Sequence, residues 1–339
     1  MATISVGRLL FASTAMCLSF LLAGVIPANS QVDYEPTFVE RDITPLWFAD
    51  DFVALEKFAA PLRSSGVRTP SGGWVLAEFY RTFHKNFLLE SEVIDYPDGF
   101  QWKKLDAWAA AFPDSPTPHI LRAMAMANLA RLSSRSHITT SLPESGWQPH
   151  AAYARDALET LAARPSLGEQ DPHYYVPLIR LMSFTGVEVH DLLITHAEAS
   201  SRWPQYDELH VEAMEHLEYL TLHNARTMRG LANTVHAGSM GLDGEQTYAR
   251  LIDGMAQRKH GHEIFSTFPV QWERLRSGLG QIAAAYPTDE NTQRLALYAC
   301  LAGDKPTAKV AFQSTAEKAV RTVWLKPQTY RSCRSWSNE

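Results

Sequence analysis

Thirteen histidines give this chain its clearest opening for chemistry. Glu212, His216, Tyr219 and His223 follow one another at spacings of four, three and four. Such spacings fall on one stripe of a helix. There two imidazoles and a carboxylate could meet on one cation. A metal-dependent hydrolase using the His216/His223 face, with Glu212, His216 and His223 as ligands, is the enzymatic expectation. "KHGHE", with His260, His262 and Glu263, forms a second short cluster. Zinc asks for three or four ligands in tetrahedral array, and neither cluster alone supplies a full set. The plainer expectation is that these imidazoles edge a groove and hydrogen-bond to their neighbours.

A second group suits binding. "DPHYYVP" holds Tyr174 and Tyr175, and "SRWPQY" holds Arg202, Trp203 and Tyr206. Aromatic rings and a guanidinium on one concave face are typical of binding hot spots. The competing expectation is that these rings pack between helices. No G-x-S-x-G, P-loop, H-E-x-x-H, C-x-x-C or EF-hand loop occurs. "GLGQIA", Gly278 to Ala283, fits G-x-G-x-x-A, but helical "QWERLRS" precedes it where a dinucleotide fold needs a strand. No cofactor is expected.

The elements that would position these residues are helices. Strand alternation is scarce, whereas "QWKKLDAWAAAF", "YDELHVEAMEHLEYL" and "NTQRLALYACLAG" all carry apolar residues at spacings of three and four. "AAAFPDSP" at 109–116 is nearly repeated by "AAAYPTDE" at 283–290, with "QWKKL" and "QWERL" upstream of each. Three helices should close on an aromatic followed by proline: Phe112-Pro113, Trp203-Pro204 and Tyr286-Pro287. Proline disfavours helix in the residue before it. Pro172 and Pro204 lie 32 residues apart, close to the roughly 34-residue period of tetratricopeptide hairpins. The expected fold is all-α, a right-handed α-α superhelix of degenerate tetratricopeptide-like hairpins. "SSRSHITTSLPESGWQPH" (133–150) and "NTVHAGSMGLDGEQ" (233–246) read as insertions between units. Gly303 should end one helix in the left-handed region and Asp304 should cap the next.

The first thirty residues differ in kind. Arg8 precedes an uncharged apolar run, and Ala28 and Ser30 stand at the −3 and −1 positions of a cleavage site. This describes a signal peptide over 1–30, followed by a linker over 31–45 and a helical domain over 46–336. The expected location is periplasmic or secreted, with no stable membrane insertion after cleavage. In that setting Cys300 and Cys333 read either as a disulfide or as two small buried hydrophobes. A formal charge of −6, without basic runs, gives no footprint for nucleic acid.

"YPTDENTQRLALYACLAGDKPTAKVAF", then Trp324 and "SCRSW", resembles a bacterial family known as domain of unknown function 4034, similar to tetratricopeptide proteins. "LDAWAAAFPDSP", "DPHYY" and "RWPQYDELHVEAMEHL" extend the resemblance over roughly residues 50–336. Where that family carries a Trp-Gly-Gly turn, this chain has "RGLANTVHAGSMGLDG". The resemblance implies the fold and no particular activity. The functional expectation is an exported protein-binding or scaffolding module, non-catalytic, whose partner is a peptide or another protein.

Overall fold

The aromatic–proline corners form as their sequence requires. In the computed structural model, the helices Phe100–Ala111, Val189–Arg202 and Trp272–Ala285 end on Phe112, Trp203 and Tyr286. These three caps share one backbone conformation, with φ/ψ of −135/68°, −126/57° and −129/78°. Each cap N–H returns to the carbonyl four residues earlier, on Trp108, Ala199 and Ile282. All three rings pack against the main core. Proline disfavours helix in the residue before it, and the ring of that residue fills the gap beside the break.

The structure describes residues 37–89, 93, 95–138, 148–239, 243–324 and 326–339, without the side chains of 132–138 and 148–151. The leader expected over 1–30 lies outside these residues. Among them the chain is all-α, with the helical-repeat build expected from its periodicity, and no strand forms. A single isolated bridge joins Arg68 and Trp74. No helix described is long and apolar enough to cross a membrane.

Successive helices pack on one another. Pro116–Ile138 lies against Gln148–Ala162, Gly244–Met255 against Trp272–Ala285, and Asp289–Leu301 against Lys305–Gln313. The last pair has a short connection, which makes such neighbours antiparallel. Gly278 sets the spacing of one pair, since a Cβ there would stand 2.0 Å from the Glu245 carbonyl oxygen. The "GLGQIA" stretch is therefore a close helix–helix contact inside Trp272–Ala285.

Two boundaries differ from the sequence expectation. The folded body begins at Thr37, inside the expected 31–45 linker. Thr37 caps the helix Phe38–Phe48, and its Val39, Ile43 and Trp47 are buried in the core at spacings of four. The expected insertions are also shorter. Pro116–Ile138 runs into 133–150, and Ala225–Gly238 runs into 233–246. Serine, threonine and histidine cost a helix only a few tenths of a kcal/mol each, roughly, so they do not break one.

One large core runs from Val39 to Tyr298, and a second gathers Ala296, Leu297, Phe312, Val323, Trp324, Tyr330 and Cys333 at the C-terminal end. A disulfide joins Cys300 to Cys333 with Cα atoms 6.0 Å apart, tying the helix Pro327–Asn338 to Asp289–Leu301. Gly303 (φ +75°) ends the helix before the corner, and Asp304 caps Lys305–Gln313 through Thr307 N–H at 3.1 Å. Asp304 also accepts from Trp272 Nε1 at 3.1 Å.

Candidate functional site

The helix Asp207–Leu220 carries Glu212 and His216, two of the three expected metal ligands, and its carboxylates are already engaged. Arg180, from Tyr175–Phe184, forks onto Glu212 through Nε at 2.6 Å and Nη2 at 2.8 Å. Arg258 reaches Glu208 at 2.5 Å, Glu212 at 2.7 Å and Glu215 at 3.1 Å. Arg81 closes the network on Glu208 from the helix Val75–Asn86. Lys259 Nζ and His260 Nε2 then approach Glu218 at 3.1 and 3.2 Å. Three consecutive basic residues therefore zip along the glutamates at 208, 212, 215 and 218. They sit on one turn of π-helix, Ala256–His260, that continues Gly244–Met255.

Electrostatics follow from this contact. Burial would raise the Glu212 carboxyl, but Arg180, the His216 hydrogen bond and Arg258 hold it well below the usual carboxylate range. Glu208 is likewise held down to about 2, against burial, by Arg81 and Arg258.

The expected metal set does not assemble. His216 Nε2 is 3.0 Å from Glu212, but His223 Nδ1 is 2.6 Å from a different carboxylate, Glu218. His223 lies beyond the helix end at φ +62°, which swings it off the stripe. Glu212, His216 and His223 thus have no common centre, and among the described residues no three His, Cys, Asp or Glu side chains are placed to hold a metal ion. The "KHGHE" cluster divides as well: His260 Nδ1 pairs with Thr267 at 2.8 Å, while Glu263 is exposed.

The five candidate binding residues split between interior and surface. Tyr174 and Tyr175 are buried, with hydroxyls donating to Leu161 O at 3.1 Å and Glu198 at 3.4 Å. Tyr206 is buried with its hydroxyl 2.7 Å from His173 Nδ1. Trp203 is half-buried and donates from Nε1 to Gly168 O at 3.1 Å. Arg202 alone is exposed, 3.5 Å from Glu169. Of the five, the three tyrosines are spent on packing between helices and present no ring to a partner.

Two buried networks went unread in the sequence. Tyr80 donates to Asp171 at 2.6 Å and stacks on His173 at 4.1 Å, while Arg63 lies 3.3 Å from Asp171. Burial, joined by Arg180 and Arg81 and opposed by Glu208 and Glu212, presses His173 down to about 3. Near the Trp203-Pro204 corner, His196 Nε2 meets His210 Nδ1 at 3.0 Å, and His210 Nε2 reaches Pro204 O at 2.8 Å. The carbonyl can only accept, so His210 donates from Nε2 and accepts from His196 at Nδ1. Ser239 donates to the same carbonyl at 2.8 Å.

The π turn also walls a cleft of about 260 Å³, closed opposite by Arg294, Leu297, Tyr298 and Leu301, with Val323 from the C-terminal core. The sequence signal for this region is the run Arg258-Lys259-His260, opposite in charge to the glutamates of "DELHVEAMEHLEYL".

No family model, no curated protein and no solved structure matches the chain.

Proposed function

We propose that this chain is an exported binding or scaffolding module whose partner is a peptide or another protein of the envelope or extracellular space, and that it belongs with the domain of unknown function 4034 proteins. The observation that carries the reading is how Asp207–Leu220 spends its ionisable groups. Glu208, Glu212, Glu215 and Glu218 pair with Arg81, Arg180, Arg258 and Lys259, so their charge holds neighbouring elements together. Stacked helical hairpins suit extended contact surfaces. A catalytic reading would need His216 and His223 on one centre, and they bond to different carboxylates.

Crosslinking of the mature protein in the exporting cell, followed by reconstitution from purified components, tests this. The expected result is one partner that binds saturably and crosslinks to the 37–339 body. Absence of any partner, together with stoichiometric metal lost in His216→Ala and His223→Ala and a hydrolysis lost with it, would replace this reading with the hydrolase.

A further inference from the structure

The cleft beside the π turn has an uneven chemistry. Ala256, Leu297, Leu301 and Val323 supply apolar lining. Its one carboxylate, Asp253, is saturated: Tyr298 Oη donates at 2.9 Å, Gln257 Nε2 at 2.6 Å, and Arg294 Nε lies at 3.3 Å. The donors are not saturated. Arg294 uses Nε for Asp253 and Nη2 for Glu290 at 2.9 Å, and among the described residues its Nη1 meets no acceptor. Among the described residues Lys259 has a single carboxylate, Glu218, for three N–H groups, and its side chain is 36% exposed. His262 lines the same cleft, and its Nε2 is buried with no partner among the described residues.

A ligand that completes this site must bring an acceptor for the cationic donors and an apolar body for the rest. A cation would find its only carboxylate taken, and a neutral hydrocarbon would leave the donors unpaired. The volume, below the roughly 300–1,000 Å³ of drug-sized pockets, limits the body to a small one. We propose that this cleft binds a small amphipathic monocarboxylate, with its apolar body against Ala256, Leu297, Leu301 and Val323 and its carboxylate taking hydrogen bonds from Lys259 Nζ and Arg294 Nη1. This site is independent of the partner reading above and stands or falls separately from it.

Isothermal titration calorimetry of the mature protein with octanoate, octylamine and octan-1-ol tests the site. Octanoate binds at one site, and the amine and the alcohol bind at least tenfold more weakly. Lys259→Gln weakens octanoate roughly tenfold, as loss of one charge-assisted hydrogen bond should. Leu301→Trp fills the cleft and abolishes binding. Arg294 also holds Asp253 and Glu290, so these two substitutions carry the test, each checked for an unchanged circular dichroism spectrum. The proposal is overturned if octanoate gives no heat, if octylamine binds as well as octanoate, or if octanoate binding is unchanged in both variants.

Discussion

Arg258 Nη1 lies 2.7 Å from Glu212 Oε2, joining a π turn to a helix 46 residues earlier in the chain. Glu212 is fully buried, so its charge depends on its arginines. Removing one partner of a buried pair leaves an uncompensated charge, which costs about 3–5 kcal/mol. Arg258→Met should therefore lower the free energy of unfolding by an amount of that order, seen as a lower urea midpoint. Arg258→Lys should recover only part of the loss, because an ammonium cannot span Glu208, Glu212 and Glu215 together. A midpoint unchanged in Arg258→Met would show that Arg180 alone satisfies Glu212.

Acid should weaken the fold through its buried imidazoles. Burial presses His196 to about 3, with His210 adding to the effect, and presses His210 to about 4; the ordinary value is 6.5. Below that value the unfolded chain takes up protons that the folded chain refuses. Stability therefore falls as pH drops from about 6.5, by at most about 1.4 kcal/mol per pH unit for each imidazole. Asp207 opposes this below about pH 6, because burial lifts its carboxyl to about 6. His210→Gln, which keeps a donor for Pro204 O, should flatten the slope of unfolding free energy between pH 6.5 and 5. An equal slope in wild type and variant would refute this assignment.

Two glycines three and five residues past Leu275 should behave oppositely. Gly278→Ala drives a methyl into the Glu245 backbone and should cost at least about 1–3 kcal/mol. Gly280→Ala, on the same helix with nothing within 4 Å, should be neutral or stabilise by up to about 1 kcal/mol. Thermal melts of the two variants provide the comparison, and equal melting temperatures would discard the close-contact account.

Reduction of Cys300–Cys333 should act locally. The bridge closes a loop of 33 residues, for which chain entropy gives on the order of 3–4 kcal/mol. The C-terminal helices keep their own apolar cluster. Hydrogen exchange after reduction should therefore rise first over 305–338, while protection over 75–86 and 207–220 persists. Uniform loss of protection would mean that the two cores unfold together.

The sequence made some of this legible and hid the rest, for physical reasons. Phe112, Trp203 and Tyr286 could be placed because proline acts on its immediate neighbour. Gly303 and Asp304 were readable for the same local reason. The Glu212–Arg258 contact was not, because Glu212, His216 and His223 share a helical stripe, and spacing alone cannot tell a metal from a guanidinium. The π turn leaves no periodic mark of its own. Helix Phe38–Phe48 escaped notice because Pro45 interrupts its pattern, although Val39, Ile43 and Trp47 give it a buried face.

Phe112, Trp203 and Tyr286 leave their helices along nearly the same backbone path, yet the next helices start four, four and three residues later, at Pro116, Asp207 and Asp289. The exit from each helix is thus a reused part, while the partners around it are private to each corner: Trp74 donates to Gln205 O beside one, and the Tyr286 ring lies against Gly72 at another.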